Sequence, residues 1–134
     1  MDVEYRWLHD PEDRGRLLKD WEVWFEMPYW VFGAKDRKTG EILGYMVFDS
    51  PSHWHMVNVK RGVRTQLSDK MAREGLKANF QQHKDVKHVT TRALSMEGRQ
   101  DALEKFCQRI GGERVDPKDP RSRQFIFHRH KFVK

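Results

Sequence analysis

Two His-x-His pairs stand out as candidate chemical groups: His53 with His55, and His128 with His130. On a strand, residues i and i+2 share a face, so each pair has the spacing to chelate a metal. No carboxylate stands out as a partner for either pair, so no metal is expected and the histidines read as edge-strand or partner-facing groups. Trp54 lies beside the first pair, and Phe125 and Phe127 lie close to Arg123 and Arg129. Aromatics set among basic side chains are what single-stranded nucleic-acid platforms use, here without an RNA-recognition signature. The single cysteine, Cys107, excludes an internal disulfide framework and a cysteine-rich zinc site, and it fits a reducing, cytoplasmic setting. No Walker loop, Gly-x-Ser-x-Gly elbow or His-Glu-x-x-His run is present.

Charge is spread unevenly around these groups. Residues 1–30 hold 8 acidic and 4 basic side chains, whereas residues 60–92 hold 9 basic and 3 acidic, and residues 114–134 hold 7 basic and 2 acidic. The formal net charge is +6. Such a field attracts polyanions: nucleic acid, an anionic protein or a phosphorylated cofactor. The longest stretch free of Asp, Glu, Lys and Arg, Ser50 to Val59, is far below the ~18–20 residues that span a bilayer, and the charged start MDVEYRWLHD does not read as a secretion signal. No membrane association is expected.

The elements that must position these residues follow from length and periodicity. With 134 residues the chain reads as a single domain, residues 1–134. Its 5 Trp, 8 Phe and 3 Tyr supply a compact core despite the high charge. Asp10 as N-cap, Pro11 at the first helical position and the acids Glu12 and Asp13 predict a helix over 11–25, ended by Pro28. Leu17, Leu18, Trp21, Trp24 and Phe25 form its apolar stripe. A hairpin follows: Tyr29–Ala34, a polar turn closing on Gly40, and Glu41–Asp49. His53–Lys60 reads as a third strand, and Arg61–Arg64 as a short basic turn. A helix from Thr65 to about Gln82, a strand over His88–Ala93 and a helix over Gly98–Ile110, stopped by Gly111 and Gly112, come next. Pro117 and Pro120 mark a turn. Gln124–Val133 reads as a last strand whose buried face its mixed pattern leaves open.

Three segments in this order carry a family resemblance: the hairpin VFGAKDRKTGEILGYMVF, the strand–turn–helix VNVKRGVRTQLSDKM, and the helix with its glycine ending, DALEKFCQRIGGERV. Over about residues 30–128 the chain resembles the GNAT superfamily of acyl-CoA-dependent N-acyltransferases. The resemblance implies an α/β fold with a GNAT-like mixed, mostly antiparallel central sheet and helices on both faces. It implies an acyl-CoA-dependent N-acyltransferase moving an acetyl group from acetyl-CoA to a primary amine. In this family a glycine turn feeds a helix whose free N–H groups and positive dipole end hold the CoA diphosphate. Gly62, Val63, Arg64 and Thr65 occupy that place, with Arg61 as a charged helper, and Val57 and Val59 are expected to offer main-chain groups to the pantetheine arm. Val59 replaces the usual Gln or Arg, and Arg64 stands where a small residue is usual, so Arg64 either binds phosphate or plugs the cradle.

The family reaction needs a base for the amine proton and an acid for the departing thiolate. The usual Glu and Tyr are missing. His55 is the candidate base, with Glu41 a distant second, and Cys107 is the candidate acid, although it also lies on its helix's apolar stripe. Gly112 replaces the family's closing aromatic. These departures leave two alternatives: a non-catalytic GNAT-fold phage virion or assembly protein, similar to small phage-borne GNAT-like proteins, and a basic nucleic-acid-binding module. Expected partners are an amine acceptor and, under the alternatives, a polyanion or a phage protein. A homodimer is permitted.

Overall fold

The computed structural model describes residues 2–24, 29–93, 98–119 and 121–134. Among them, seven strands form one sheet in the order β1-β2-β3-β4-β5-β7-β6. Strand β1 (Val3–Trp7) precedes helix α1 (Pro11–Trp21), and β2 (Trp30–Asp36), β3 (Ile42–Ser50) and β4 (His53–Val59) form an antiparallel meander after it. Helix α2 (Thr65–Gln82) crosses to β5 (His88–Arg92), which runs parallel to β4. Helix α3 (Gln100–Arg109), the short β6 (Glu113–Arg114) and β7 (Gln124–His128) close the order. The parallel β4–β5 step requires a crossover, and α2 provides it. The expected mixed, mostly antiparallel sheet is present.

Helices cover both faces. Met71, Ala72, Leu76 and Phe80 of α2 and Phe106 and Cys107 of α3 pack on Phe32, Met46, Phe48, Trp54, Phe125 and Phe127. Leu17 of α1 packs on the other face against Val31, Tyr45 and Val47. Gly75 lets α2 lie close to the sheet, since a Cβ there would meet Met46 Sδ at 2.2 Å.

Helix α1 begins as expected: the Asp10 side chain accepts the Asp13 N–H at 2.9 Å, and Pro11 opens the first turn. It ends earlier than expected. Glu22 takes a left-handed conformation (φ 58°) and its N–H bonds to the Leu17 carbonyl, so the helix stops at Trp21. Phe25 and Pro28 lie outside the described residues, as does Pro120. The expected stripe is only half buried, because Leu18 and Trp24 are exposed. The anchor that periodicity hid is Asp13, fully buried, with Lys35 Nζ at 2.6 Å and Arg6 also bonded to it. Strand β1 was not expected; its alternation is obscured because every residue is half-buried.

The last strand is shorter than expected. After His128 the chain turns into a single helical turn (Arg129–Lys131), where Arg129 Nη1 donates to the Phe80 carbonyl at 2.7 Å. Phe125 and Phe127 are the buried parity, which settles the open face. No helix among the described residues is long and apolar enough to cross a membrane.

Candidate functional site

Strands β4 and β5 touch briefly and then part. Among the described residues they share two pairs, His53 with Thr90 and Trp54 with Thr91, extended by the Thr90 N–H to the Ser52 carbonyl at 2.9 Å. The buried Thr91 hydroxyl caps the contact by donating to the Trp54 carbonyl at 2.6 Å. Beyond Trp54, β4 continues to Val59 with no strand pairing on that side, a reach of about 16 Å.

The direction of the β4 main chain follows from its end. The Lys60 N–H bonds to the Leu43 carbonyl at 2.8 Å, so by alternation Asn58 also faces β3. Val57 and Val59 then direct their N–H and C=O groups into the gap, while their side chains pack against the core.

The gap leads to the basic turn. The Val63 N–H bonds to the Lys60 carbonyl at 3.1 Å, closing a turn in which Gly62 has φ +87°. That conformation requires glycine, and a Cβ at this position would meet nothing within 4 Å, so the corner is open. The Val63 N–H, expected to face a diphosphate, is engaged by this turn. The N–H groups of Gly62, Arg64, Thr65 and Gln66 have no hydrogen-bond partner among the described residues. Arg64 is the N-cap of α2, yet no side chain caps the helix and its first turn carries no acid, so the positive dipole end is bare. Arg64 and Arg61 are exposed, and Arg64 does not fill the corner. Lys60 is bonded to Glu41, which occupies both side chains.

At the fork itself the register slips twice. Val47 pairs with Met56 but Phe48 with Trp54, so His55 is a surplus residue on β4; Phe48 pairs with Trp54 but Ser50 with His53, so Asp49 is a surplus residue on β3. Paired bulges re-aim side chains. Here they bring one carboxylate to two imidazoles, with Asp49 Oδ1 2.6 Å from His53 Nδ1 and Asp49 Oδ2 3.8 Å from His55 Nδ1. His55 is exposed, with the Tyr29 ring 6.3 Å away. The sequence gives no sign that Asp49 stands beside His53 and His55, because only the bulges make them neighbours.

Cys107 falls elsewhere. It is 1% exposed within the α2–α3 core, where burial, helped by the charge of Glu104, pushes its thiol up to about 12. A thiol so reluctant to ionise is a poor acid for a departing thiolate, and the side chain reads as core. His128 and His130 stack with centroids 5.7 Å apart, His130 lies past the strand, and no group of three or more potential metal ligands occurs among the described residues. Trp54, Phe125 and Phe127 are buried, which overturns the expected stacking platform.

No family model matches the chain, and no curated protein matches it. Solved structures do. The candidate N-acetyl transferase YhhK from E. coli, solved bound to coenzyme A, is 14% identical with a TM-score of 0.66, over 96% of this chain and 99% of that one. A chimera of spermidine N-acetyltransferase SpeG from Vibrio cholerae and hSSAT is 11% identical with a TM-score of 0.65, over 100% of both chains. A GNAT-family acetyltransferase from Staphylococcus aureus Mu50 is 8% identical with a TM-score of 0.60, over 96% of this chain and 99% of that one. At such identities the likeness establishes the fold.

Proposed function

From the GNAT fold, we propose that the chain is an acyl-CoA-dependent N-acyltransferase that moves an acetyl group from acetyl-CoA to a primary amine. The observation that carries this reading is the fork: main-chain groups of Val57 and Val59 face a gap that runs from the bulge at His55 to the bare N-terminus of α2. The gap suits a long thin arm, and the free N–H groups of Gly62, Arg64, Thr65 and Gln66 suit a diphosphate. Arg61 and Arg64 add mobile positive charge beside them. Bound there, acetyl-CoA supplies an activated thioester whose C–S bond breaks as the new C–N bond forms.

His55 takes the proton that the attacking amine loses. Its Nδ1 faces Asp49, which leaves Nε2 directed outward, and the carboxylate stabilises the imidazolium that results. The departing thiolate takes its proton from solvent, since Cys107 is buried.

The burial of Cys107 favours a second reading, a GNAT-fold protein that holds an acyl-CoA without turning it over. Two measurements separate the readings. Acetyl-CoA at about 100 times its dissociation constant adds ~2.7 kcal/mol of stability, read as a melting shift. No shift at millimolar ligand removes both readings. A shift without thiol release across a panel of primary amines leaves the second.

A further inference from the structure

We propose that β1 is the interface of a homodimer, pairing antiparallel with β1 of a second copy of this chain about a twofold axis at Tyr5. Strand β1 ends the seven-strand order, and its register to β2 carries no bulge. The Leu8 N–H bonds to the Val31 carbonyl at 2.8 Å, and the Asp2 carbonyl accepts the Arg37 N–H at 3.0 Å, so the even-numbered residues face β2. By alternation the N–H and C=O groups of Val3, Tyr5 and Trp7 point away from the sheet. No strand among the described residues pairs with that side, which leaves six main-chain groups as a template for one more strand. The strand has neither the proline nor the lysine that commonly blunts such an edge. The opposite edge, β6, is two residues long and offers far less.

The residues of the strand select a second copy as its occupant. In an antiparallel pair centred on Tyr5, Tyr5 meets the partner's Tyr5, Val3 meets the partner's Trp7, and Glu4 meets the partner's Arg6. The three outward residues then form hydrogen-bonded pairs that satisfy all six main-chain groups, and the charged residues fall in the non-bonded pairs, where side chains come closer. Two aromatics, an aromatic with a β-branched residue, and two opposite charges are all cross-strand pairs that stabilise a sheet. The neighbouring registers fail. Centring on Glu4 or on Arg6 sets each against its own copy, centring on Val3 sets Glu4 against the partner's Asp2, and centring on Trp7 sets Arg6 against the partner's Leu8. In the favoured register the Val3–Trp7 and Glu4–Arg6 contacts each occur twice, as a twofold interface requires.

The side chains are placed for this pairing. Val3, Tyr5 and Trp7 are half-buried at the rim of the α2-side core, and Lys70 Nζ lies over the Tyr5 ring at 5.3 Å. Two such rims side by side make one apolar stripe across the seam. On the opposite face Arg6 Nη2 holds Asp10 and Asp13, which fixes the guanidinium, while Nη1 lies 3.7 Å from Glu4 of its own chain. That pair is loose within one chain, and the partner's Glu4 gives Nη1 a second carboxylate. The helices leave room. Helix α2 lies across β1, β2 and β3, so its axis and the partner's are about three strand spacings apart, ~14 Å, against about 8–10 Å for helices in contact. The fork at β4 lies three strands in from this edge, so the interface does not depend on the transferase reading.

Sedimentation equilibrium of the full chain reads the assembly, and at high micromolar concentration the parent sediments at twice the chain mass. E4K sets a lysine against the partner's Arg6 at two places and raises the dissociation constant by about tenfold or more. Glu4 makes only the loose pair within its own chain, so E4K keeps the parent's melting temperature at a dilution where both are monomers. Y5C tests the axis. Its two Cα atoms lie about 5.5 Å apart in the dimer, within reach of a disulfide, so mild oxidation links the chains. The two positions of V3C lie roughly 14 Å apart in the same register and link at least about tenfold more slowly. Cys107 is buried and does not compete. A parent that stays monomeric at high micromolar concentration overturns the proposal, as does a dimer that E4K leaves intact or one in which V3C links as fast as Y5C.

Discussion

Asp49 and His55 are each the surplus residue of a bulge, the kind of irregularity that re-aims side chains beside active sites. Under the transferase reading their proposed roles predict different losses. His55→Ala lowers kcat by about 100-fold, within the range of a positioned base, and leaves the acetyl-CoA melting shift intact. Asp49→Asn keeps the imidazole but removes the charge that stabilises its protonated form, and it costs on the order of tenfold in kcat with KM for acetyl-CoA unchanged. Equal loss of binding and turnover in Asp49→Asn would mean that the carboxylate merely holds the turn through His53. Cys107→Ser separates core from catalysis: a hydroxyl buried without a partner costs about 1–3 kcal/mol, while turnover per folded molecule is unchanged. At this scale the sequence was legible where a residue type alone marks a candidate, as the imidazole of His55 does under the transferase reading. It was illegible where one step of register decides which side chains meet, as at Asp49.

Elements were easier to read than their ends. Helix α2 starts at Thr65 as its periodicity predicts, whereas α1 and β7 stop early because a left-handed Glu22 and the bonds of Arg129 end them, and neither device has a sequence signal. Helix α3 shows how an element is pinned. Glu104 is buried, and burial alone pushes its carboxyl upward, but hydrogen bonds from Gln100 and Arg114 and the charges of Arg114 and Arg123 outweigh that and hold it below its ordinary 4.5. A carboxyl with a lowered folded value contributes stability that is present above its unfolded value and is lost as pH falls through the folded one. Glu104→Gln therefore costs about 3 kcal/mol at neutral pH in urea unfolding, because two arginines lose their counter-charge, and the variant's stability falls less than the parent's on acidification below 4.5. The other end of α3 is fixed by Gly112, where a Cβ would sit 2.8 Å from the Cys107 carbonyl and 2.9 Å from the Phe127 ring. Neither neighbour can yield, so Gly112→Ala destabilises by about 1–3 kcal/mol. The residue that departs from the family's closing aromatic is thus required by this chain's own packing.

Across the whole molecule the charge asymmetry of the sequence becomes a spatial one. The acidic N-terminal segment supplies α1 and its flanks on one face of the sheet, and the basic segment 60–92 supplies α2 on the other. His55 lies beside Tyr29, which packs with the α1-side cluster, while the bare N-terminus of α2 lies at the far end of the gap. Under the transferase reading, an anionic acyl donor and a cationic amine are drawn toward different sides of the fork, and a field of this kind acts chiefly on encounter rates. Under the transferase reading, kcat/KM for a diamine falls as salt rises over a range that shortens the screening length from about 30 to 8 Å. For a neutral hydroxylamine-type acceptor of similar length the same titration is nearly flat once acetyl-CoA is saturating, because only the donor's approach depended on charge. Steady-state rates at the two ionic strengths measure this. A diamine that shows no more salt dependence than the neutral acceptor would place the acceptor route away from the acidic face, and with it the pairing of Asp49 and His55 as the chemical end of the fork.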